Sequence, residues 1–363
     1  MKSDGATDLT ALPPLSRSSR LVNLAGPFLA LLAVVFAGGI AEFVKEGSLN
    51  YWSPQNQVMI LAQTVTVMIG ALAMTIIIIS GGIDLSAGSL IALTAVTSAW
   101  IVREFAPAGQ VRLAGDQTAW LPVAALAAGV LMGAAAGGTS GLLITRLRLM
   151  PFIATLGMMS FARGAAKGIS QQQRIEAPLN WIRDFTDSDL VLWRMDLDWG
   201  PLYWKGPVAI SGAVVLTIVL AAAVAVLLAR TTFGRHVFAI GSNEAAARLC
   251  GVRVERTKWL IYMIAGAMFG LAGVTDYGRL SVGDPSTAIG KELDIIAAVV
   301  IGGGSLSGGS GSVLGSIIGA ILMAHLHNLC VHLGLPNWVQ EMVVGAVIVV
   351  AVALDRLRRR KLG

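Results

Sequence analysis

The chain has 363 residues, of which 55% are hydrophobic and only 13% charged. A soluble domain carries about a quarter charged residues, so half of the usual charge load is missing. That deficit excludes an ordinary cytosolic enzyme, a disordered chain and a nucleic-acid binder, despite a net charge of +6. Cys250 and Cys330 make neither a disulfide framework nor a metal-ligand spacing. The composition is that of an all-α polytopic membrane protein.

A bilayer core about 30 Å thick needs about 20 apolar residues per helix. Uncharged stretches run over 21–41, 47–83, 85–102, 117–145, 149–162, 206–229, 259–275 and 295–340. The last holds 46 residues, too many for one helix, and the glycines from Gly302 to Gly311 divide it. A further helix follows Pro336. Ten spans are predicted, starting near 21, 57, 86, 119, 151, 207, 259, 292, 311 and 337. Gly39 and Ala41 suit a leader cleavage site, but the apolar stretch before them is long enough to span.

Ten spans put both termini on one side. With that side cytoplasmic, the inner segments collect 16 of the 27 basic residues and the outer ones nine, over longer loops. Cytoplasmic loops carry the Lys and Arg excess, so both termini are expected inside. The expected domains are a cytoplasmic tail (1–20), a membrane domain (21–355) and a basic cytoplasmic tail (356–363). The membrane domain includes an acidic external loop at about 171–206 and a cytoplasmic loop at about 230–258. The predicted fifth span is interrupted by Arg163 and Lys167. Either both snorkel to the outer interface or Arg163 faces a polar pathway.

Catalytic constellations are absent, and the chain has no G-x-x-x-x-G-K-[ST] phosphate loop. If ATP drives transport here, another subunit hydrolyses it. His325 and His327 are two apart, on different faces of a helix, so no metal is expected there, and this chain is expected to bind no cofactor.

Three segments are polar or glycine-rich where spans should be featureless. In the first, around Gly81, Gly82, Asp84 and Ser86, either Asp84 or Ser86 suits the N-cap of the third span. A gate or subunit contact is the functional alternative, since glycines let backbones approach. The second, Lys291 to Gly315, permits a tight re-entry between the eighth and ninth spans, with Gly303, Gly304 and Gly309 as gate or interface candidates. Its glycine–serine core weakly echoes the first segment. The third, Arg230 to Val252, contains a short helix capped by Ser242 or Asn243, running over Glu244–Cys250 and ended by Gly251. Glu244 and Arg248 stand at i, i+4 spacing. This segment is either a solvated loop or a docking helix for another protein.

Four stretches together carry a resemblance over most of residues 50–355. They are Gly81-Gly82-Ile83-Asp84-Leu85-Ser86-Ala87-Gly88, Thr155 to Gly164, Thr232-Phe233-Gly234-Arg235 leading to Gly241 and Asn243, and Glu292-Leu293-Asp294 through Gly315. The chain resembles the membrane permease of ribose/xylose-type sugar ABC importers, in a family shared with branched-chain amino acid permeases. The resemblance implies a fold similar to large-cavity, vitamin B12-type importers. It also implies a homodimer in the bacterial inner membrane, two cytosolic ATPase subunits that use the ATP, and a periplasmic sugar-binding protein. By the same resemblance, Asn243, Glu244, Ala245, Ala246, Arg248 and Gly251 match the ATPase-coupling helix. Ser242 stands where relatives carry Gly, and the 171–206 loop is longer and more acidic than usual. Permeases for another small polar solute (inositol, a nucleoside or a branched-chain amino acid) are the alternative. An ion-coupled carrier is disfavoured because Asp84, Asp276, Glu292, Asp294 and Glu341 fall near span ends rather than at the midplane.

Overall fold

The computed structural model describes residues 17–107, 109–113, 118–187, 189–199 and 202–360. The tail up to residue 16, and Lys361 of the basic tail, lie outside the described residues. Thirteen α-helices are present: α1 (Arg17–Glu46), α2 (Pro54–Ile79), α3 (Ala87–Phe105), α4 (Trp120–Arg146), α5 (Pro151–Ile169), α6 (Trp181–Asp187), α7 (Gly212–Arg230), α8 (Thr232–Ser242), α9 (Glu244–Leu249), α10 (Val254–Leu280), α11 (Lys291–Ile301), α12 (Val313–His332) and α13 (Asn337–Arg360). Four short or paired strands join them: β1 (Ile175–Glu176), β2 (Asp189–Trp199), β3 (Leu202–Ser211) and β4 (Val282–Gly283).

Each predicted span has a helix, and six described helices are long and apolar enough to cross a membrane. Nine of the ten counterparts have 19 residues or more, whereas α11 has 11. At 1.5 Å per residue α11 is about 16 Å long, half a bilayer core. The expected eighth span is therefore a half-length helix approached by the non-helical residues 284–290. The basic residues Arg356 to Arg360 continue α13 rather than forming a separate tail.

Local chemistry explains several helix starts. The Ser53 hydroxyl accepts from the Asn56 amide at 3.3 Å, with Pro54 opening α2. Pro151 opens α5. Ser312 accepts from the Gly315 amide at 3.1 Å and caps α12.

The core is built around α2, whose Ile76, Ile77, Ile78 and Ile79 are fully buried. It lies among α7, α10, α11 and α12. Helix α4 packs antiparallel on α10 through facing glycines. A side chain at Gly133 would collide with the Gly266 carbonyl and meet the Gly270 Cα at 2.8 Å. Backbones that touch in this way require small residues.

The expected 171–206 loop is more structured than its polarity suggests. It contains α6 and an antiparallel hairpin of β2 and β3, paired from Asp189↔Ser211 to Trp199↔Leu202. The hairpin extends to residue 211, so the sixth membrane helix starts at Gly212 rather than near 207. β1 pairs with β4, and the Leu113 amide bonds the Leu179 carbonyl at 2.8 Å. Residues 111–113, 175–187 and 281–283 thus gather at one end of the bundle, called here the loop end. The turns after α2, α8 and α11 gather at the other, called the α9 end.

Candidate functional site: the coupling face and two clefts

Helix α9 is the short capped helix expected from the sequence, one residue shorter at its C-terminus. The Asn243 side chain accepts from the Ala246 amide at 3.0 Å, and Gly251 leaves the helix at φ +82°. Ser242 is the last residue of α8 and not the cap. Glu244 and Arg248 do pair, at 3.5 Å. Both are also tied to the start of α10, Arg248 to Glu255 at 2.5 Å and Lys258 to Glu244 at 2.6 Å. The Glu255 hydrogen bond raises the Arg248 guanidinium further above its ordinary range. The ionic chain fixes how α9 stands on α10 and leaves Ala245 and Leu249 outward; Leu249 is 90% exposed.

The two glycine-rich segments meet each other and the residues just before α9. The Gly309 amide donates to the Ile79 carbonyl at 2.8 Å. A Cβ at Gly241 would collide with that carbonyl and sit 2.6 Å from the Gly309 nitrogen. A Cβ at Gly308 would come within 2.6 Å of the Gly241 carbonyl and 3.0 Å of the Gly81 Cα. Gly81, Gly303, Gly308 and Gly309 all have positive φ, a conformation that favours glycine. Gly304 is packed on Val299, whereas no described residue lies within 4 Å of a Cβ at Gly303. Gly241 and Gly308, outside the expected candidates, hold the closest approaches.

Asp84 and Ser86 are fully buried at this end. Ser86 occupies the N-cap position of α3, yet its side chain caps nothing. Its hydroxyl and amide both donate to Asp84 Oδ1, at 2.5 and 2.8 Å. A carboxylate two residues upstream engages the hydroxyl, so neither residue makes the expected cap. Among the described residues Asp84 Oδ2 and the Tyr262 hydroxyl have no hydrogen-bond partner, and Gly82 leaves the room that brings the Tyr262 hydroxyl close.

Arg163 lines neither of the two clefts described below. It is half-buried, and one of its terminal nitrogens donates to the Pro285 and Thr287 carbonyls at 2.8 Å each. It thereby pins the chain that leads into α11. Glu292, in the first turn of α11, lies against the start of α3, where Gly88 leaves it room.

Two clefts flank the loop-end half of α2 and share Met59. One, of about 370 Å³, is lined by Gln55 and Thr66 with Asp187, Ser211, Thr275 and Arg279. The other, of about 300 Å³, lies between α2, α11 and α12, and includes Gln63, Lys291, Asp294, His327 and Asn328. Asp294 pairs with Lys291 at 3.0 Å and with His327 at 3.4 Å. His325 faces elsewhere, 3.3 Å from the Tyr51 hydroxyl. Among the described residues no group of three His, Cys, Asp or Glu is placed to hold a metal. Of these cleft residues only Lys291, Asp294 and His327 are marked by the sequence, and none of them as part of a ligand cleft.

The family described as branched-chain amino acid transport system / permease component matches residues 56–352. The chain belongs to this permease family. It is therefore a multi-pass membrane transport subunit and not an enzyme. It is 37% identical to the ribose import permease protein of Escherichia coli (strain K12) over 88% of this chain and 91% of that one. The ribose import permease protein of Bacillus subtilis (strain 168) is 35% identical over 91% and 92%. The L-arabinose ABC transporter permease protein of Azospirillum brasilense is 31% identical over 86% and 83%. No solved structure matches the chain.

Proposed function

We propose that this chain is the membrane permease of an ATP-driven ABC importer and forms the path for a monosaccharide delivered by a periplasmic binding protein. The observation that carries this reading is near-full-length similarity to permeases named for ribose and arabinose import. Two cytosolic ATPase subunits hydrolyse the ATP and dock on α9 through residues 243–251. A second copy of the permease completes the path in the bacterial inner membrane. The likeness to vitamin B12-type importers and the ten-span scheme, with α11 as a half-span, belong to the same reading.

The α9 end is cytoplasmic and the loop end external. Two features support this: the basic residues concentrate at the α9 end, and the acidic 171–187 segment packs with the other turns of the loop end. The glycine segments around Gly81, Gly82, Asp84 and Ser86, and around Gly303, Gly304 and Gly309, form the gate joint beside the coupling helix. Arg163 acts on the path by holding residues 285–287.

The family description favours a branched-chain amino acid as the second reading. Cells carrying this permease with its ATPase and binding protein separate the two. Uptake of labelled D-ribose, L-arabinose or D-fructose, lost when the ATPase is inactivated, supports the proposal. Uptake of leucine and of none of the sugars, or uptake that survives ATPase inactivation, overturns it.

A further inference from the structure

The cleft between α2, α11 and α12 has the chemistry of a ligand site, and its place in the fold links it to the coupling face. Its volume of about 300 Å³ is at the small end of ligand pockets. Gln63 lies in the tenth position of α2, about 14 Å along the helix from the loop end, and its amide has no protein partner among the described residues. Asp294, nearly buried, carries a negative charge that Lys291 balances across 3.0 Å. His327 adds a ring nitrogen 3.4 Å from the same carboxylate. Met59 and Met323 supply an apolar wall. The cleft thus offers amide, carboxylate and imidazole groups with charges already paired. That combination matches a small neutral polyol and disfavours an ion.

Polar side chains within membrane helices are costly and mark substrate paths. Transport sites are commonly built at the ends of discontinuous helices. Here α11 is the discontinuous helix. Lys291 and Asp294 stand in its first turn beside the cleft. Its last turn runs into Gly302, which packs against Gly315, and then into the turn that bonds Ile79 and touches Gly241. A rigid strut about 16 Å long therefore connects the cleft to the residues preceding α9.

We propose that this cleft is a transient monosaccharide subsite within the permease, with Gln63, Asp294 and His327 meeting sugar hydroxyls and α11 carrying its occupancy to the coupling face. The subsite rests on the reading of the chain as a sugar permease.

The test uses cells with the complete transporter and three forms of the permease: wild type, Gln63→Ala and Ala324→Trp. Initial uptake of labelled D-ribose is measured alone and against unlabelled L-arabinose and D-fructose. Gln63→Ala should change the preference between competing sugars by about five-fold, the worth of one ordinary hydrogen bond. Ala324→Trp, which fills the cleft, should abolish uptake while the permease reaches the membrane and retains its ATPase. If Ala324→Trp fails to accumulate, the Gln63→Ala preference decides, because a merely structural defect lowers all sugars together. Wild-type sugar uptake with unchanged preference in Gln63→Ala overturns the subsite and leaves the permease reading intact. Absence of sugar uptake by the wild type, with leucine taken up in the same cells, overturns both.

Discussion

One methyl group at Gly241 tests whether the coupling face is mechanically joined to the rest of the permease. An added Cβ would collide with the Ile79 carbonyl oxygen and lie 2.6 Å from the Gly309 nitrogen. Those two groups are hydrogen-bonded to each other at 2.8 Å, so the methyl is driven into the bond itself. Both obstacles are backbone, which cannot swing aside as a side-chain tip does. Overpacking of this kind costs about 1–3 kcal/mol, and opening the amide bond adds about 1 kcal/mol. A local loss of about 2–4 kcal/mol is too small to unfold ten packed segments, yet large enough to separate α8 from the α2 and α11 turns. Gly241→Ala should reach the membrane at near-normal abundance, while uptake per copy falls at least ten-fold and ATP hydrolysis loses its response to substrate. Gly157→Ala is the control. It lies on α5 with nothing within 4 Å of the new Cβ, and should be neutral or gain up to about 1 kcal/mol of helix propensity. Wild-type uptake and an unchanged melting temperature in Gly241→Ala would show that the junction carries no load.

Removing the α9 cap by Asn243→Ala should cost about 1 kcal/mol and weaken co-purification of the ATPase, with full retention of the ATPase counting against docking there. Gly251→Val forces a β-branched residue into a φ of +82° and should impair coupled uptake without affecting insertion; normal uptake refutes the docking role. Val is strained by backbone conformation at both Gly303 (φ +89°) and Gly309 (φ +75°), and Gly309→Val should be the more damaging because Ser242 also lies within 3.1 Å of the new Cβ there, whereas Gly303 has open space; a smaller loss of uptake in Gly309→Val than in Gly303→Val would contradict this. Arg163→Gln removes two charge-assisted bonds of about 1.5–3 kcal/mol each and should speed hydrogen exchange over 284–290. Unchanged exchange there would mean that Arg163 does not pin the segment. A cysteine replacing Trp181, in a background lacking Cys250, should react with impermeant reagents from outside; protection would invert the topology.

Features set by the bilayer or by neighbouring residues were readable from the sequence. The apolar runs placed the start of a helix within five residues of each expected span, and six described helices are long and apolar enough to cross a membrane, because a spanning helix must satisfy its own backbone and cover about 30 Å. The α9 helix was equally readable, since Asn243 and Gly251 act within one turn of themselves. The side-chain cap expected from Asp84 or Ser86 was misassigned by the same local rule. Asp84 offers a carboxyl oxygen two residues upstream, and that acceptor engages the Ser86 hydroxyl. The short length of α11 was hidden because apolarity continues across residues 295–340 whether or not the chain is helical.

What joins distant segments left weaker marks. The β2–β3 hairpin pairs residues up to 22 positions apart, as Asp189 with Ser211, in a stretch whose acidity suggested only a loop. The cleft residues come from three helices, each contributing two or three polar letters to a largely apolar run. Gln55, Met59, Gln63 and Thr66 do fall at helical spacing on one face of α2, and Lys291 with Asp294 stands at i, i+3. Those patterns were the available signal, and they acquire chemical meaning only when α11 and α12 bring Asp294 and His327 opposite Gln63. The glycine junction makes the same point from the backbone. Gly81, Gly241 and Gly308 lie on three separate segments, and what distinguishes Gly241 and Gly308 is the backbone atom that an added Cβ would strike at each. A mechanism that passes force between α11 and α9 needs such contacts, since backbone touching backbone transmits a displacement that a flexible side chain would absorb.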